Sequence, residues 1–456
     1  FGQYRFESDG FRANNDRDER VANAFVQFRP ALDTNLQLEL RSIRNEHGDL
    51  ALNFDASSYN PLARIAETSD SLRFGARHDF SAHDSLLASL TYERGRGDIT
   101  AGDAFAYSNP ARTSALGVQL IHQMGAVRLL TGLAQGTRQD DTETRFVFPG
   151  NPPIVSATDD RLSQTDVYAY VLVDPAPSVT ITAGAAWERI STELLTDHAT
   201  NPKLGIAWRP TSHTTVRAAT FRSLSGSLTT SRLNPQPRLE PIQVAGFSQL
   251  LFGGAADHSA LTGLAVDHAL SDRMYAGLEA SHRDTDTSIL DSTAPPELQI
   301  QGVTLGERTQ RAYFYWTPHD RLGFSATLEH GRYTSTVPAN GMPLFNYTGL
   351  TIERLPLELR YFSPTGLTLG FRTSHIKEHG TFVANTPVPG ALEAGADRFW
   401  LLDAFVGYRL PNRRGLLSLN ADNLMDRRFR FQDVDPEDTS LIPERLISFR
   451  FTLSFD

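Results

Sequence analysis

The sequence predicts an all-β protein, a transmembrane antiparallel β-barrel of about 20 strands (roughly 18–22), with short periplasmic turns and long extracellular loops. Three observations carry this. Apolar and polar residues alternate with a period of two in segment after segment of the 456 residues. Short connections rich in Pro, Gly, Asp and Ser alternate with long polar ones. Nowhere is there a run of roughly 18 apolar residues, which excludes a transmembrane helix but not a barrel strand of about 9–11 residues.

The elements follow in chain order. "GQYRFE" at 2–7 is the expected first strand. Ala22, Ala24, Val26 and Phe28 then face away from Asn23, Gln27 and Arg29, and Leu36, Leu38 and Leu40 from Gln37, Glu39 and Arg41. The same division sets Leu72, Phe74 and Ala76 against Arg73, Gly75 and Arg77, and Leu86, Ala88, Leu90 and Tyr92 against Ser89, Thr91 and Glu93. Val179, Ile181, Ala183, Ala185 and Trp187 oppose Thr180, Thr182, Gly184 and Glu188. Met274, Ala276, Leu278 and Ala280 oppose Tyr275, Gly277, Glu279 and Ser281, and Leu322, Phe324, Ala326 and Leu328 oppose Gly323, Ser325, Thr327 and Glu329. Leu367, Leu369 and Phe371, then Leu402, Ala404, Val406 and Tyr408, then Leu417, Leu419 and Ala421 continue the apolar set. The chain ends on Ile447, Phe449, Phe451, Leu453 and Phe455 against Ser448, Arg450, Thr452 and Ser454. A period of two places each set on one side of a sheet. A soluble sandwich also alternates, but here the polar set is Arg, Glu, Gly and Thr in strand after strand.

Nine short turns are expected at 29–34, 78–84, 122–127, 173–178, 209–214, 268–273, 317–321, 362–366 and 410–415, each with turn-forming residues. Long polar segments fall between them at 44–70, 139–162, 224–257, 333–349, 373–397 and 425–442. Nine turns, with the last strand closing on the first, imply about 20 strands. The stretch 239–257 is either one more hairpin, giving about 22, or structured loop. No linker or low-complexity tract divides residues 1–456, so a single barrel domain is expected, with any plug or periplasmic domain outside this chain. "FGQYRFESDG" has neither a basic nor an apolar signal region, so the numbering is expected to start on a mature chain or inside a longer one.

Composition excludes several functions. With no cysteine there is no disulfide framework and no thiolate metal site. The net charge of -10 argues against a nucleic-acid partner, which calls for a basic stripe. No Gly-x-Ser-x-Gly, phosphate loop or zinc-ligand spacing occurs, and the His residues are scattered. No catalytic, cofactor or metal residue is assigned, and an enzyme is not expected. The acidic stretches 138–145, 283–291 and 433–438 could hold Ca²⁺ in external loops, but none has the ordered ligand spacing of a calcium loop, and solvated loop surface is the stronger reading.

The polar face is the informative one. Glu39, Arg41, Arg73, Arg77, Glu93, Glu188, Glu279, Arg283, Glu329, Glu358, Arg360, Arg372, Asp403, Arg409 and Arg450 all fall on it. On the lipid side each would cost about 2–4 kcal/mol at mid-depth, so they should point inward. They either line a hydrated lumen and shape selectivity for a polar solute, or pair across strands and brace the wall. Tyr92, Trp187, Trp208, Trp316, Tyr361 and Tyr408, near strand ends, suit an interfacial girdle.

The C-terminal part, "YRLPNRRGLLSLNADNLMDRRFRFQD" (408–433) followed by "PERLISFRFTLSF" (443–455), resembles the end of TonB-dependent outer-membrane receptors. Asn423, Leu424 and Asp426 match their Asn-Leu-Phe-Asp-like motif, with Met425 in place of Phe, and Pro443-Glu444-Arg445 stands for a usual Gly-Arg. "NPKLGIAWRPTSHTTVRAATFRS" (201–223) resembles their mid-barrel hairpin and "LEPIQVAGF" (239–247) the start of one of their strands. Residues 44–92 also resemble barrels fused behind periplasmic tetratricopeptide repeats. The resemblance implies a bacterial outer-membrane location among phospholipid and lipopolysaccharide. It also implies that Phe449, Phe451, Leu453 and Phe455 form the signal recognised by the barrel assembly machinery. The function implied is a transport barrel, receptor-like or porin-like, for a polar solute or polymer. The alternative is an anchor for a periplasmic repeat domain or for a surface protein or polysaccharide assembly, with a periplasmic or surface protein as partner.

Overall fold

A computed structural model describes residues 1–225, 238–250, 256–291, 299–337, 343–385, 390–434 and 441–453. The chain is built from strands. They are β1 (Gly2–Ser8), β2 (Arg17–Ala31), β3 (Thr34–His47), β4 (Ala63–Asp79), β5 (Asp84–Ala101), β6 (Phe105–Met124), β7 (Val127–Phe146) and β8 (Ile154–Ala176). Next come β9 (Val179–Ser191), β10 (Thr196–Thr211), β11 (Thr214–Ser225), β12 (Gln243–Val244), β13 (Phe247–Ser248), β14 (Asp257–Ser271) and β15 (Met274–Asp291). The rest are β16 (Gln299–His319), β17 (Leu322–Ser335), β18 (Tyr347–Phe362), β19 (Leu367–Val383), β20 (Leu392–Arg409), β21 (Gly415–Asp422) and β22 (Leu446–Leu453).

Twenty of these form one antiparallel sheet in which each strand pairs with its sequence neighbours. β12 and β13 form a separate two-residue ladder, and β11 pairs directly with β14 across them. The stretch 239–257 is therefore not a further pair of wall strands. All nine expected short turns lie between wall strands, from Ala31/Thr34 to Arg409/Gly415.

The register keeps the two residue sets apart around the sheet. Leu40 faces Leu72, which faces Tyr92, while Glu39 faces Arg73, which faces Thr91. The apolar set is solvent-facing although large: Val26, Leu40, Leu90, Leu204, Leu278, Phe371 and Phe449 are all exposed. Exposed apolar side chains around the outer face are what a bilayer stabilises and water does not. The six expected girdle aromatics, Tyr92 to Tyr408, are exposed on that face.

Two expectations are corrected. The loops are shorter than the polar segments at several places: β7 runs to Phe146, β8 begins at Ile154 and β19 runs to Val383, and the acidic stretch 283–291 is the end of β15. The ladders continue beyond the apolar band because backbone pairing satisfies N–H and C=O groups whatever the side chain, and Thr-rich sequence favours it. Second, β1 pairs with β2 and β22 with β21, and no ladder joins β22 to β1 among the described residues. Loops bridge this junction: the backbone N–H of Asp433 donates to the Leu52 carbonyl at 2.9 Å, and Asn346 donates to the Asn53 side chain at 2.7 Å. Phe455 lies outside the described residues.

Candidate functional site: the barrel interior

The face opposite the lipid-facing set holds all the charged residues predicted for the lumen. Most are partnered. Arg73 reaches Glu39 at 3.5 Å, Arg77 reaches Asp79 at 2.9 Å, and Ser69 donates to Glu93 at 2.8 Å. Glu279 takes Arg217 at 3.4 Å, and Glu358 is shared by Arg360 and Arg372. Arg283 donates to the Ser248 and Leu250 carbonyls at 3.1 and 3.3 Å. Asp403 accepts the Asn423 N–H at 2.8 Å, and Glu188 is buried against Asn201. Arg41 faces Ser71, Glu329 faces Arg354 and Arg311, Arg409 faces Leu416, and Arg450 faces Ser418 in register. Beside Arg354, Arg360 and Arg372, with Glu329 and Glu358, opens a cavity of 630 Å³ that Tyr315, Trp316 and Ile376 also line, so that charged and apolar surfaces meet in it.

Of the two readings of 239–257, a further hairpin or structured loop, the structure has the loop: residues 238–250 cross the interior instead of adding wall strands. Leu239 packs over Gly117, Val244 over Gly205 and Phe247 over Gly263, all on the inward face. A Cβ at Gly263 would lie 2.3 Å from the Phe247 ring, so glycine is what admits the segment there. Val244 and Phe247 are buried with Ala219, Phe221, Leu261 and Ala265, each large side chain contributing about 1.5–3 kcal/mol.

Polar bonds to four well-separated strands fasten the same segment. Gln119 of β6 donates to the Leu239 carbonyl at 2.7 Å. Tyr170 of β8 donates to Glu240 at 2.5 Å, and Gln249 donates to the Tyr170 oxygen at 3.2 Å. Arg217 of β11 and Arg283 of β15 donate to backbone carbonyls of 245, 248 and 250. Arg238 bonds Glu240 at 2.5 Å and lies 3.9 Å from Glu188. Burial opposes the Arg238 charge, but Glu240, Asp166 and Glu188 outweigh it and hold the guanidinium above its ordinary range. Sequence reading missed Arg238, Glu240 and Tyr170. Arg238 and Glu240 were marked only as a charged pair in a stretch without alternation, and Tyr170 by nothing beyond its place in a strand.

A second buried cluster ties loops to β18, β19 and β20. The loop after β21 and the loop between β3 and β4 share a buried core, with Phe54 stacked on Phe382 and Phe399 on Phe429, both at 4.1 Å. The Gln432 N–H donates to Glu378 at 2.7 Å. The Asn-Leu-x-Asp motif shapes this loop. Asn423, at φ 49°, is buried, donates to the carbonyls of Arg427 and Ile442 and accepts the Arg427 N–H. Asp426 accepts the Arg445 N–H at 2.9 Å.

The acidic stretches expected in external loops fall mainly on strands, where neighbours point to opposite faces. Arg138 pairs with Asp140 and His282 with Asp284. Among the described residues no group of three or more His, Asp or Glu is placed to hold a metal ion, and 435–438 lie outside them.

Comparison with known proteins agrees with this architecture. Residues 1–248, more than half of the chain, match the family model described as TonB dependent receptor-like, beta-barrel. The chain belongs to that family and is a bacterial outer-membrane protein. None of the curated proteins matches it. Among solved structures, P. aeruginosa FpvA bound to heterologous pyoverdines is similar at 13% identity and TM-score 0.71, over 99% of this chain and 67% of that chain. The copper transporter OprC gives 11% identity and TM-score 0.71 over 99% and 75%. The FrpB iron transporter from Neisseria meningitidis (F5-1 variant) gives 12%, 0.73, 99% and 77%. At such identities the likeness is one of fold.

Proposed function

We propose that this protein is an outer-membrane transport barrel for a polar solute, with residues 238–250 acting as an internal gate. The observation that carries the reading is the way that segment is fastened across the interior, by paired charged and polar side chains beside one small apolar seat at Val244 and Phe247. Such an attachment is stable when every polar group is paired, and costly once one partner is lost. The cavity beside Arg354, Arg360 and Arg372 lies in the size range of small-molecule sites, and its three arginines beside apolar and aromatic surface suit a solute carrying anionic groups. The charged residues of the inward face line the path and brace the wall at once. Membership of a receptor-like barrel family, and solved transporters among proteins of like fold, support the same reading. We also propose that Phe449, Phe451, Leu453 and Phe455 serve the assembly machinery.

The test is single-channel conductance in planar bilayers. The wild-type chain is compared with a variant whose residues 238–250 are replaced by a Gly-Ser linker of equal length. A gated conduit stays closed or opens briefly as wild type and opens in large steady steps as the variant. If both fold and neither conducts, the transport reading fails and an anchor for a periplasmic or surface partner takes its place.

A further inference from the structure

The outer face of β15–β18 has two chemically distinct halves. In the apolar band, Leu278, Ala312, Phe314, Ala326, Leu328 and Leu355 line an open groove of 430 Å³ with almost no polar surface. The alanines lie between large side chains of neighbouring strands, Ala312 opposite Leu278 and Leu328, Phe314 opposite Ala326, and this relief makes the groove. Four residues further toward the extracellular ends, about 13 Å along the strands, Arg308 stands directly opposite Arg332.

Arg308 and Arg332 share the parity of Ala312 and Leu328, so both leave the outer surface, and both are exposed. His282 is the register partner of Arg308 on the other side, and His330 precedes Arg332 on the same face. Like charges directly opposite each other on an antiparallel pair are destabilising. The nearby carboxylates do not relieve them: Asp284 is held by His282 at 3.0 Å, and Glu353 lies 3.7 Å from His330 and 3.5 Å from Lys377. Among the described residues neither arginine has an ion-pair partner. A second opposed pair, Arg94 and Arg112, differs in that Arg94 is drawn onto the Tyr92 hydroxyl at 2.8 Å.

We propose that this surface is a docking site for one phosphorylated, multiply acylated lipid of the outer leaflet, of the lipid A kind. Its phosphate bridges Arg308 and Arg332, and an acyl chain lies in the groove below. The guanidinium fork matches phosphate oxygens in pairs. Head-group and chain of one lipid are separated along the bilayer normal in the same sense as the two halves of the site. The site is independent of whether the interior conducts.

The full chain, purified in detergent, is titrated with bisphosphorylated lipid A, with the same lipid stripped of phosphate, and with phosphatidylglycerol as competitor. Arg308→Gln/Arg332→Gln is expected to weaken lipid A binding at least about tenfold, while retaining the heat-dependent gel migration of a folded barrel. Phosphate-stripped lipid A is expected to bind wild type correspondingly weakly. That comparison needs no variant and decides the matter if the double substitution does not fold. Equal binding by variant and wild type, equal binding of the stripped lipid, or displacement by phosphatidylglycerol at equal concentration would each overturn the proposal, the last by reducing the site to a general anionic-lipid surface.

Discussion

Tyr170 donates its phenolic hydrogen to Glu240 at 2.5 Å, joining a wall strand to the segment inside the barrel across 70 residues of sequence. Both groups are buried, and Glu240 also takes Arg238 at 2.5 Å. Tyr170→Phe keeps the ring and removes the donor, at an expected cost of about 1–3 kcal/mol to the docking of 238–250. Amide exchange within 238–250 should accelerate while β8 and β9 stay protected. Unchanged exchange in the segment would show that the phenol does not hold it.

Arg238 is the larger lever. Removing it leaves Glu240 and Glu188 buried without their guanidinium, and breaking such a buried group costs about 3–5 kcal/mol. Arg238→Ala should lower the unfolding midpoint in detergent and raise channel opening. Arg238→Lys should recover only part, because an ammonium lacks the planar fork. An alanine variant as stable as wild type would remove Arg238 from its place as the central counter-charge.

The seat of Phe247 can be tested without touching a charge. A Val side chain at Gly263 collides with the Phe247 ring, whose nearest carbon lies 2.3 Å from the Cβ position. Gly263→Val should expel the ring at a cost of about 1–3 kcal/mol and expose the segment to protease added to proteoliposomes. A segment as resistant as in wild type would contradict this packing.

Acid should loosen the extracellular loops. Arg64 donates to both Asp16 oxygens at 2.6 and 2.8 Å, and this hydrogen bond lowers the Asp16 carboxyl below its ordinary value. Asp55 is lowered in the same way by the Ser57 hydroxyl and N–H. A carboxyl lowered on folding stabilises fully above its unfolded value of about 3.9. That contribution is lost as pH falls through the lowered folded value. Protection factors, which divide out the intrinsic pH dependence of amide exchange, should be flat around residues 9–16 and 53–60 from about pH 5 to 8 and fall below about pH 4. A loss of protection between pH 5 and 7 would point to other groups.

Replacing Phe449 and Phe451 together by Ser should reduce the fraction of chain inserted in the outer membrane, read by heat-dependent gel migration. Their side chains face outward and are exposed, so no internal contact is lost. Normal insertion would separate the last strand from any assembly signal.

The wall was legible because its code is local. Alternation of two assigns Leu40 and Glu39 to opposite faces from neighbouring residues alone, and Pro, Gly, Asp and Ser mark each short turn. The polar ends of β7, β8 and β15 were read as loop, because backbone ladders do not need apolar side chains and leave little trace in composition. The Asn423–Asp426 motif was recognised by resemblance, and its geometry explains it: Asn423 closes the turn that sets the following loop against Phe399 and Glu378.

Sequence by itself determined the all-β class, a strand number of about 20 with 20 or 22 left open, the two faces and the side of the sheet on which each charge falls, since these follow from period and turn chemistry within a few residues. Tertiary structure alone decided where 238–250 goes. Its partners Gln119, Tyr170, Arg217 and Arg283 lie on four strands and meet only when the sheet curves, and its apolar side chains fit only over inward-facing positions such as Gly205 and Gly263. The opposition of Arg308 and Arg332 was decided there too, because it depends on the register between two strands and not on either strand's sequence.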